Sequence, residues 1–414
     1  MQTSRAEQFL LLTGMYLAAF LTVTAIAMPG PLLVDMSAAF DTTVPVASQL
    51  ITLGSVAWGA TAVFAGPASD AYGRRPVLLL GVCLMAIGSF GIGFAPGFNT
   101  ATVFSVLTGM GAGMVPPTCI ALIGDTFQDK DKPMAIGILT TSPGVSSVVG
   151  VPLAAVLGEF AGWRSPFIAV GFGLIGAALP LFVLVSRRRA TAARLALVGR
   201  IRWVLACPFT WHVMGANILV RVSWGVLTAF FPAYLILTYG FRTAEVALPI
   251  AALSLGAAVA PLLGGRIGLK QKRLVLTAGL LFAAGAPALG VFLLDWGAWF
   301  SVGMAGLVML LIVPLATVLS IVFAENGGDY RGTLAGVISS TNWTGTAAGA
   351  AVGGVLVAHI GYGALSLLLS FCIVGSALIM ILFMSEAVVG SARRHFAHAP
   401  VSGSGGGQSR GGAN

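Results

Sequence analysis

The sequence predicts an all-α polytopic membrane protein, with twelve transmembrane helices in two pseudo-symmetric six-helix bundles. Three observations predict it. Apolar runs of roughly 20 residues, the length a helix needs to cross a bilayer, recur from one end of the chain to the other. Basic residues collect in alternate connections between those runs. Two separate stretches of the first half reappear in the second at nearly the same offset.

Of the 414 residues, 57% are hydrophobic and 8% charged. The mean hydropathy is +0.96. A soluble domain with this composition would have a largely apolar surface. The net charge of +9 does not indicate nucleic acid as a partner, because the basic residues lie in the connections. No cleavable signal is expected, since the first apolar run starts at Phe9 and continues past Pro29. Cys83, Cys119, Cys207 and Cys372 lie in or beside apolar runs without CxxC spacing and read as small packing residues. His212, His359, His395 and His398 have no metal-ligand spacing, and HExxH, Walker A and GxSxG are missing. Neither a metal nor a cofactor is expected, and the sequence does not read as an enzyme.

Polar punctuation sets the spans in order at 9–35, 46–66, 76–95, 101–124, 134–158, 166–186, 209–238, 244–265, 274–294, 297–323, 332–358 and 363–385. The corresponding units are a first bundle over 1–186, a basic cytoplasmic linker over 187–208, a second bundle over 209–386 and a disordered cytoplasmic tail over 387–414. With the N-terminus inside, only Arg164 and Arg242 of the 22 basic residues fall in outside loops, and Arg221 lies within a span. That asymmetry predicts an even span count, both termini cytoplasmic and a cell-membrane location. In the linker, Leu197, Val198, Ile201, Val204 and Leu205 follow helical spacing. They fit either an amphipathic helix on the inner surface or a plain basic connection. The tail from Ser402 is rich in Gly and Ser, which predicts disorder.

The repeat is read directly from the chain. Residues 66–81 slid by 198 meet 264–279 without a gap, and residues 137–162 slid by 199 meet 336–361. Parallel repeats of this kind build transporters that rock two bundles about a central site.

Between the second and third runs stands Gly66-Pro67-Ala68-Ser69-Asp70-Ala71-Tyr72-Gly73-Arg74-Arg75-Pro76, read as a short polar loop. The pattern Gly66-x-x-x-Asp70-x-x-Gly73-Arg74-Arg75 resembles the loop between helices 2 and 3 of the major facilitator superfamily, with Ala71 where that family usually has Arg. The fifth run, through Gly150-Val151-Pro152 to Gly162-Trp163-Arg164, resembles the antiporter motif of its drug and sugar exporters, with Ala154 and Ala155 where glycines are common. Arg331-Gly332 opens the eleventh run in the same manner. The resemblance covers nearly the whole chain and is similar to the twelve-span drug:proton antiporter branch. It implies two six-helix bundles, alternating access and a central cavity. It also implies a conformational latch at Gly66, Asp70, Gly73, Arg74 and Arg75, with Gly150 and Pro152 as a gate. Asp70 would pair with nearby arginines or with a helix N-terminus, and because its counterpart is Gly268 the acid-based latch would be one-sided. The family's fourth span usually carries an Arg four residues before its first glycine. Here Ser105 stands there, which departs from the usual proton-coupling route.

Arg221 lies near the middle of the seventh run, where a charge costs about 2.5–3.5 kcal/mol on insertion scales. Asn217, Arg221, Trp224 and Thr228 follow i, i+4, i+7, i+11 and share one helical face. A cation, an amide and an aromatic ring on one stripe can hold an anionic or aromatic polar solute. A structural arginine bonded to carbonyls is the other reading. Asp35 follows Pro29-Gly30-Pro31 at the outer end of the first run. It is either the carboxyl of a proton-coupling step or a surface charge at a helix end. Tyr16, Thr24, Trp58, Asn342 and Trp343 are further mid-span candidates for substrate contact. The expected function is export of a small organic molecule, drug-like or a sugar, by proton antiport, with the protein acting as a monomer in lipid. The alternative is a proton-independent facilitator or importer of a small polar or anionic solute.

Overall fold

Hydrocarbon offers backbone amides no water, so a spanning chain must satisfy them internally. In a computed structural model of the chain, which describes residues 5–128, 131–185, 197–326, 331–384 and 386–397, every regular element is a helix. The first span is two helices, α1 (Arg5–Ala27) and α2 (Pro29–Ala39), separated at Met28. Pro29 and Pro31 have no amide hydrogen, so they open a new helix more easily than they continue an old one. The second span is α3 (Val44–Ala47) and α4 (Gln49–Tyr72), the third α5 (Arg74–Gly93) and the fourth α6 (Phe98–Thr126). The fifth runs as α7 (Lys132–Val145), a π-helical turn (Ser146–Gly150) and α8 (Val151–Ala161), and α9 (Ser165–Leu184) is the sixth.

A linker helix, α10 (Leu197–Ala206), precedes the second half, whose spans are α11 (Pro208–Tyr239), α12 (Ala247–Gly268) and α13 (Arg273–Gly290), then α14 (Ala298–Ile312) with α15 (Pro314–Asn326), α16 (Arg331–His359) and α17 (Gly363–Phe383). A last helix, α18 (Glu386–Ala397), follows. Among the described residues, eleven segments are long and apolar enough to cross a membrane. The remaining span, α16, has 29 residues, about 43 Å of helix, but its Ser, Thr, Asn and Gly content leaves it less apolar.

Two expectations are corrected, and one left open is narrowed. Residues 66–76 are not a loop: α4 continues to Tyr72, α5 starts at Arg74, and the turn is Gly73 alone, at φ 97°. A side chain at that dihedral would clash with the backbone, so glycine is required there. The tail expected to be disordered from 387 is helical through Ala397, and residues 398–414 lie outside the described part. There His395 of α18 stacks on Trp203 of α10 with ring centroids 4.6 Å apart. The connection before span 7 is helical over Leu197–Ala206, which favours the amphipathic-helix reading, while 187–196 lie outside the described residues.

Two apolar cores fill the molecule. Leu11, Met15, Leu78, Val115, Phe167 and Leu181 belong to the first. Phe209, Phe230, Leu281, Leu319 and Leu369 belong to the second, which also takes in Leu33, Val44, Ile51 and Val151 from the first half. Helix pairing repeats between halves: α5 packs on α6 and α9 as α13 packs on α14 and α17. Between halves, α2 packs on α11, α4 on α16, and the π turn with α8 on α12. Within the second bundle α11 and α16 approach so closely that a methyl group on Gly225 would meet the Thr346 carbonyl, and one on Gly349 the Val222 carbonyl. Small residues at the crossing allow this contact in lipid, where no hydrophobic force drives helices together. Between bundles the counterpart is Gly30, whose missing side chain leaves room for the Thr228 carbonyl.

This contact predicts the effect of a bulky residue at position 30. Gly30→Leu forces α2 off α11, at about 1–3 kcal/mol, or about 5- to 150-fold in the ratio of closed to open junction. The thiol-labelling rate of a cysteine introduced at Leu227, read in a Cys83→Ser background, rises accordingly. Gly97→Leu, at a position with nothing within 4 Å, leaves the rate unchanged.

Candidate functional site

The two bundles enclose a cavity of about 40 Å3. Pro31, Ser147, Trp224, Thr228, Phe231 and Leu253 are among its walls, so spans 1, 5, 7 and 8 all contribute. The walls are mainly aromatic and aliphatic, with a few hydroxyls, as in sites that bind organic molecules. Span 5 supplies Ser147 through its π turn, an irregularity common at functional positions. That turn is held to span 1 by a 2.8 Å hydrogen bond between the Thr24 and Ser146 hydroxyls. Gly150 closes the same contact, since a methyl there would meet Thr24 Oγ1. Pro152 is buried directly after the π turn, and having no amide hydrogen it does not continue that turn's hydrogen-bond ladder. The sequence-derived gate residues therefore sit where span 5 bears on span 1, beside the junction with α12.

The predicted stripe on span 7 divides in two. Trp224 and Thr228 face the cavity. Asn217 does not: it is buried, and its Nδ2 donates to Thr341 Oγ1 and to Asn342 Oδ1, each at 2.8 Å. Asn217 and Asn342, both expected to contact substrate, instead clamp α11 to α16. Arg221 is half-buried between these groups, with its guanidinium 5.5 Å from the centre of the Trp224 ring. The Arg221 Nε is buried without a hydrogen-bond partner. The alternative of a structural arginine bonded through this nitrogen to carbonyls is therefore not what the geometry shows.

Trp58 is buried and stacks on Trp343 across the bundle interface, with centroids 3.5 Å apart and planes 19° apart. This pair holds α4 on α16 at mid-depth. Tyr16 is half-buried on α1, and it is not part of the cavity wall described above. Asp35, on α2, accepts a 2.8 Å hydrogen bond from Thr243 Oγ1 of the other half, at the end of the molecule away from the chain termini. Ser105 is buried and donates to the Leu50 carbonyl at 2.5 Å, tying span 4 to span 2.

At the opposite end, the side chains of Gly66 and Asp70 lie outside the described part. Arg74 pairs with Asp125 at 3.0 Å and donates to Ser69 Oγ at 2.7 Å. Arg75 lies over the Phe182 ring at 4.6 Å. In the second half Arg273 pairs with Glu325 at 2.6 Å and donates to the Gly268 carbonyl at 3.2 Å. The expected latch at Asp70 lies outside the described residues; among the described ones, each bundle carries an arginine–carboxylate pair joining the start of its third span to the end of its fourth. Asp125 and Glu325 were missed although a signal was present, because they stand at nearly the offset of the repeat. Each pair is partly exposed and contributes at most about 1 kcal/mol.

Comparison with known proteins agrees with this architecture. The Major Facilitator Superfamily model matches residues 15–343. The "Uncharacterized MFS-type transporter YceJ" of Bacillus subtilis is 25% identical over 79% of this chain and 84% of its own length. The "Multidrug resistance protein MdtL" of Escherichia fergusonii is 27% identical over 78% of this chain and 82% of its own. Among solved structures, the inward-facing, occupied form of a bacterial homologue of the human lysosomal transporter Spinster superposes with TM-score 0.71 at 18% identity, covering 95% of this chain and 98% of that one. Twelve helical spans in two repeated bundles, an internal cavity and a family match over most of the chain lead to one assignment: the protein is a multi-pass transporter, not an enzyme, and belongs to the Major Facilitator Superfamily.

Proposed function

We propose that this transporter exports a drug-like organic molecule by proton antiport, as a monomer in the cell membrane with both termini in the cytoplasm. The observation that carries the proposal is the Asp35–Thr243 hydrogen bond, which joins a carboxylate of one bundle to a hydroxyl of the other. A hydrogen bond to an ionised acceptor is roughly twice as strong as a neutral one. Protonation of Asp35 weakens this tie and favours separation of the bundles at that end. Deprotonation restores the tie and favours closure. A proton then acts as a ligand with different affinities for the two states, which is what coupling requires.

The cavity walls support a drug-like cargo over a sugar. Trp224, Phe231 and Leu253 offer apolar surface, whereas a sugar needs many converging polar groups. Relatives named for multidrug resistance, MdtL among them, and one named for tetracenomycin C resistance and export support export as the direction. One observation favours a second reading, a proton-independent facilitator: Ser105 is engaged with the Leu50 carbonyl and supplies no charge to a relay.

Proteoliposomes with an imposed pH gradient and an internal pH dye decide between the two. Under antiport, one compound of a drug panel triggers proton movement in the wild type, and Asp35→Asn abolishes that movement while still binding the compound. Substrate flux without proton movement establishes the facilitator instead. Trp224→Ala, which removes an aromatic wall of the cavity, weakens binding of the same compound by about tenfold, measured by equilibrium titration in detergent.

A further inference from the structure

The cavity has an aromatic wall at Trp224, and the charge beside that ring has one sign. The Arg221 guanidinium carbon lies 5.5 Å from the centre of the Trp224 ring, and Trp224 faces the cavity. The acids of the spanning segments lie near helix ends. Asp35 is engaged with Thr243 at the far end, and Asp125 and Glu325 are in the ion pairs at the opposite end. No carboxylate on α11 is available to neutralise Arg221, and its Nε is buried without a partner. A guanidinium presents five N–H donors in a planar fork, which suits bidentate recognition of an oxyanion. The unpaired cation also makes the loaded state favourable, because an arriving anion removes the cost of a lone charge at this depth.

We infer that the transported molecule is an aromatic organic anion, its ring stacked against Trp224 and its carboxylate or sulfonate on Arg221, and that organic cations are excluded. This inference rests on the transporter reading and gives it a substrate class. Apolar walls alone would accept cations, neutral molecules and anions alike. Arg221 breaks that tie: it attracts the anion, leaves the neutral molecule its stacking alone and repels the cation. Asn217 stands one turn from Arg221, and its Oδ1 is likewise buried and unpaired. The competing account of both orphan atoms is a water that bridges them to each other, with no ligand involved.

Three naphthalene probes of nearly equal shape test the inference on the full-length protein: 2-naphthalenesulfonate, 2-naphthalenesulfonamide and 2-naphthyltrimethylammonium. Binding is read by equilibrium titration in detergent and flux in proteoliposomes. The sulfonate is expected to bind most tightly and the trimethylammonium not at all. Arg221→Gln should weaken sulfonate binding by about tenfold to a hundredfold, the value of a hydrogen bond to a charged group. It should change sulfonamide binding less than twofold, which also shows that the variant is folded. Arg221→Lys should keep part of the affinity. Sulfonate binding that is unaffected in Arg221→Gln assigns the orphan atoms to the water bridge and overturns the inference. Preference for the trimethylammonium, or no sulfonate binding in the wild type, overturns it as well. In each of these cases flux of another probe or drug leaves the transporter reading standing.

Discussion

The Thr228 carbonyl lies so close to Gly30 that no side chain fits between them, and Trp58 lies flat on Trp343 across the same interface. With the Asp35–Thr243 hydrogen bond, these contacts join one six-helix bundle to the other. They differ in kind from those inside a bundle. Within the second half, α11 and α16 interlock through reciprocal glycines, and Asn217 bonds across them twice. A lipid-embedded protein has no hydrophobic force to hold helices together, so packing and interhelical hydrogen bonds decide which contacts persist. Most of each core lies within one bundle, whereas the seam combines close approaches at Gly30 and Gly354, the stacked tryptophans, the Asp35–Thr243 hydrogen bond and the first-half residues Leu33, Val44, Ile51 and Val151 that pack into the second core. Parting the seam would draw these four residues out of the second core but leave the contacts within each bundle in place, as rigid-body switching demands.

The ion pairs at the opposite end serve the bundles rather than the seam. Arg74 reaches Asp125, and Arg273 reaches Glu325, within their own halves. Their partial exposure limits each to a small contribution. Their value lies in position: each fixes the start of one helix on the end of the next, after a connection that in the first half is a single glycine. Gly268, the counterpart of Asp70, stands beside the second-half pair. In the second half its carbonyl accepts from Arg273, while Glu325 supplies the charge.

Most of the fold was legible because spanning helices announce themselves by length and hydropathy, and charge marks their ends. Helix ends were less legible. Asp70 and its neighbours are polar, yet α4 continues through them, since polarity at a membrane surface marks an end of burial and not an end of helix. The site was half-legible. Spacing put Asn217, Arg221, Trp224 and Thr228 on one stripe, but a stripe does not reveal which neighbour it meets along its length. Near Asn217 that neighbour is α16, with Thr341 and Asn342 waiting, and near Trp224 it is the cavity. Trp58 and Trp343 were each legible as mid-span aromatics. Their stacking was not, because it joins chain positions with no local signal between them.

In the proposed cycle two charges must change their cost as the seam moves, and both belong to the α2–α11 contact. Asp35 rides on α2 and is tied to Thr243 just beyond α11, while Arg221 rides on α11 itself. Between them lies Thr228, whose hydroxyl bonds the Trp224 carbonyl at 2.9 Å and whose own carbonyl bears on Gly30. A cargo that stacks on Trp224 therefore presses on the same turn of helix that sets the height of α2, and through α2 on Asp35. No chain of titrating side chains is required between cargo and proton. Each ligand needs only a different affinity for the closed and open seam, and because both bias one mechanical contact, each changes the affinity of the other by the same factor. This gives a physical route to coupling in a chain whose fourth span carries Ser105 in place of a charge.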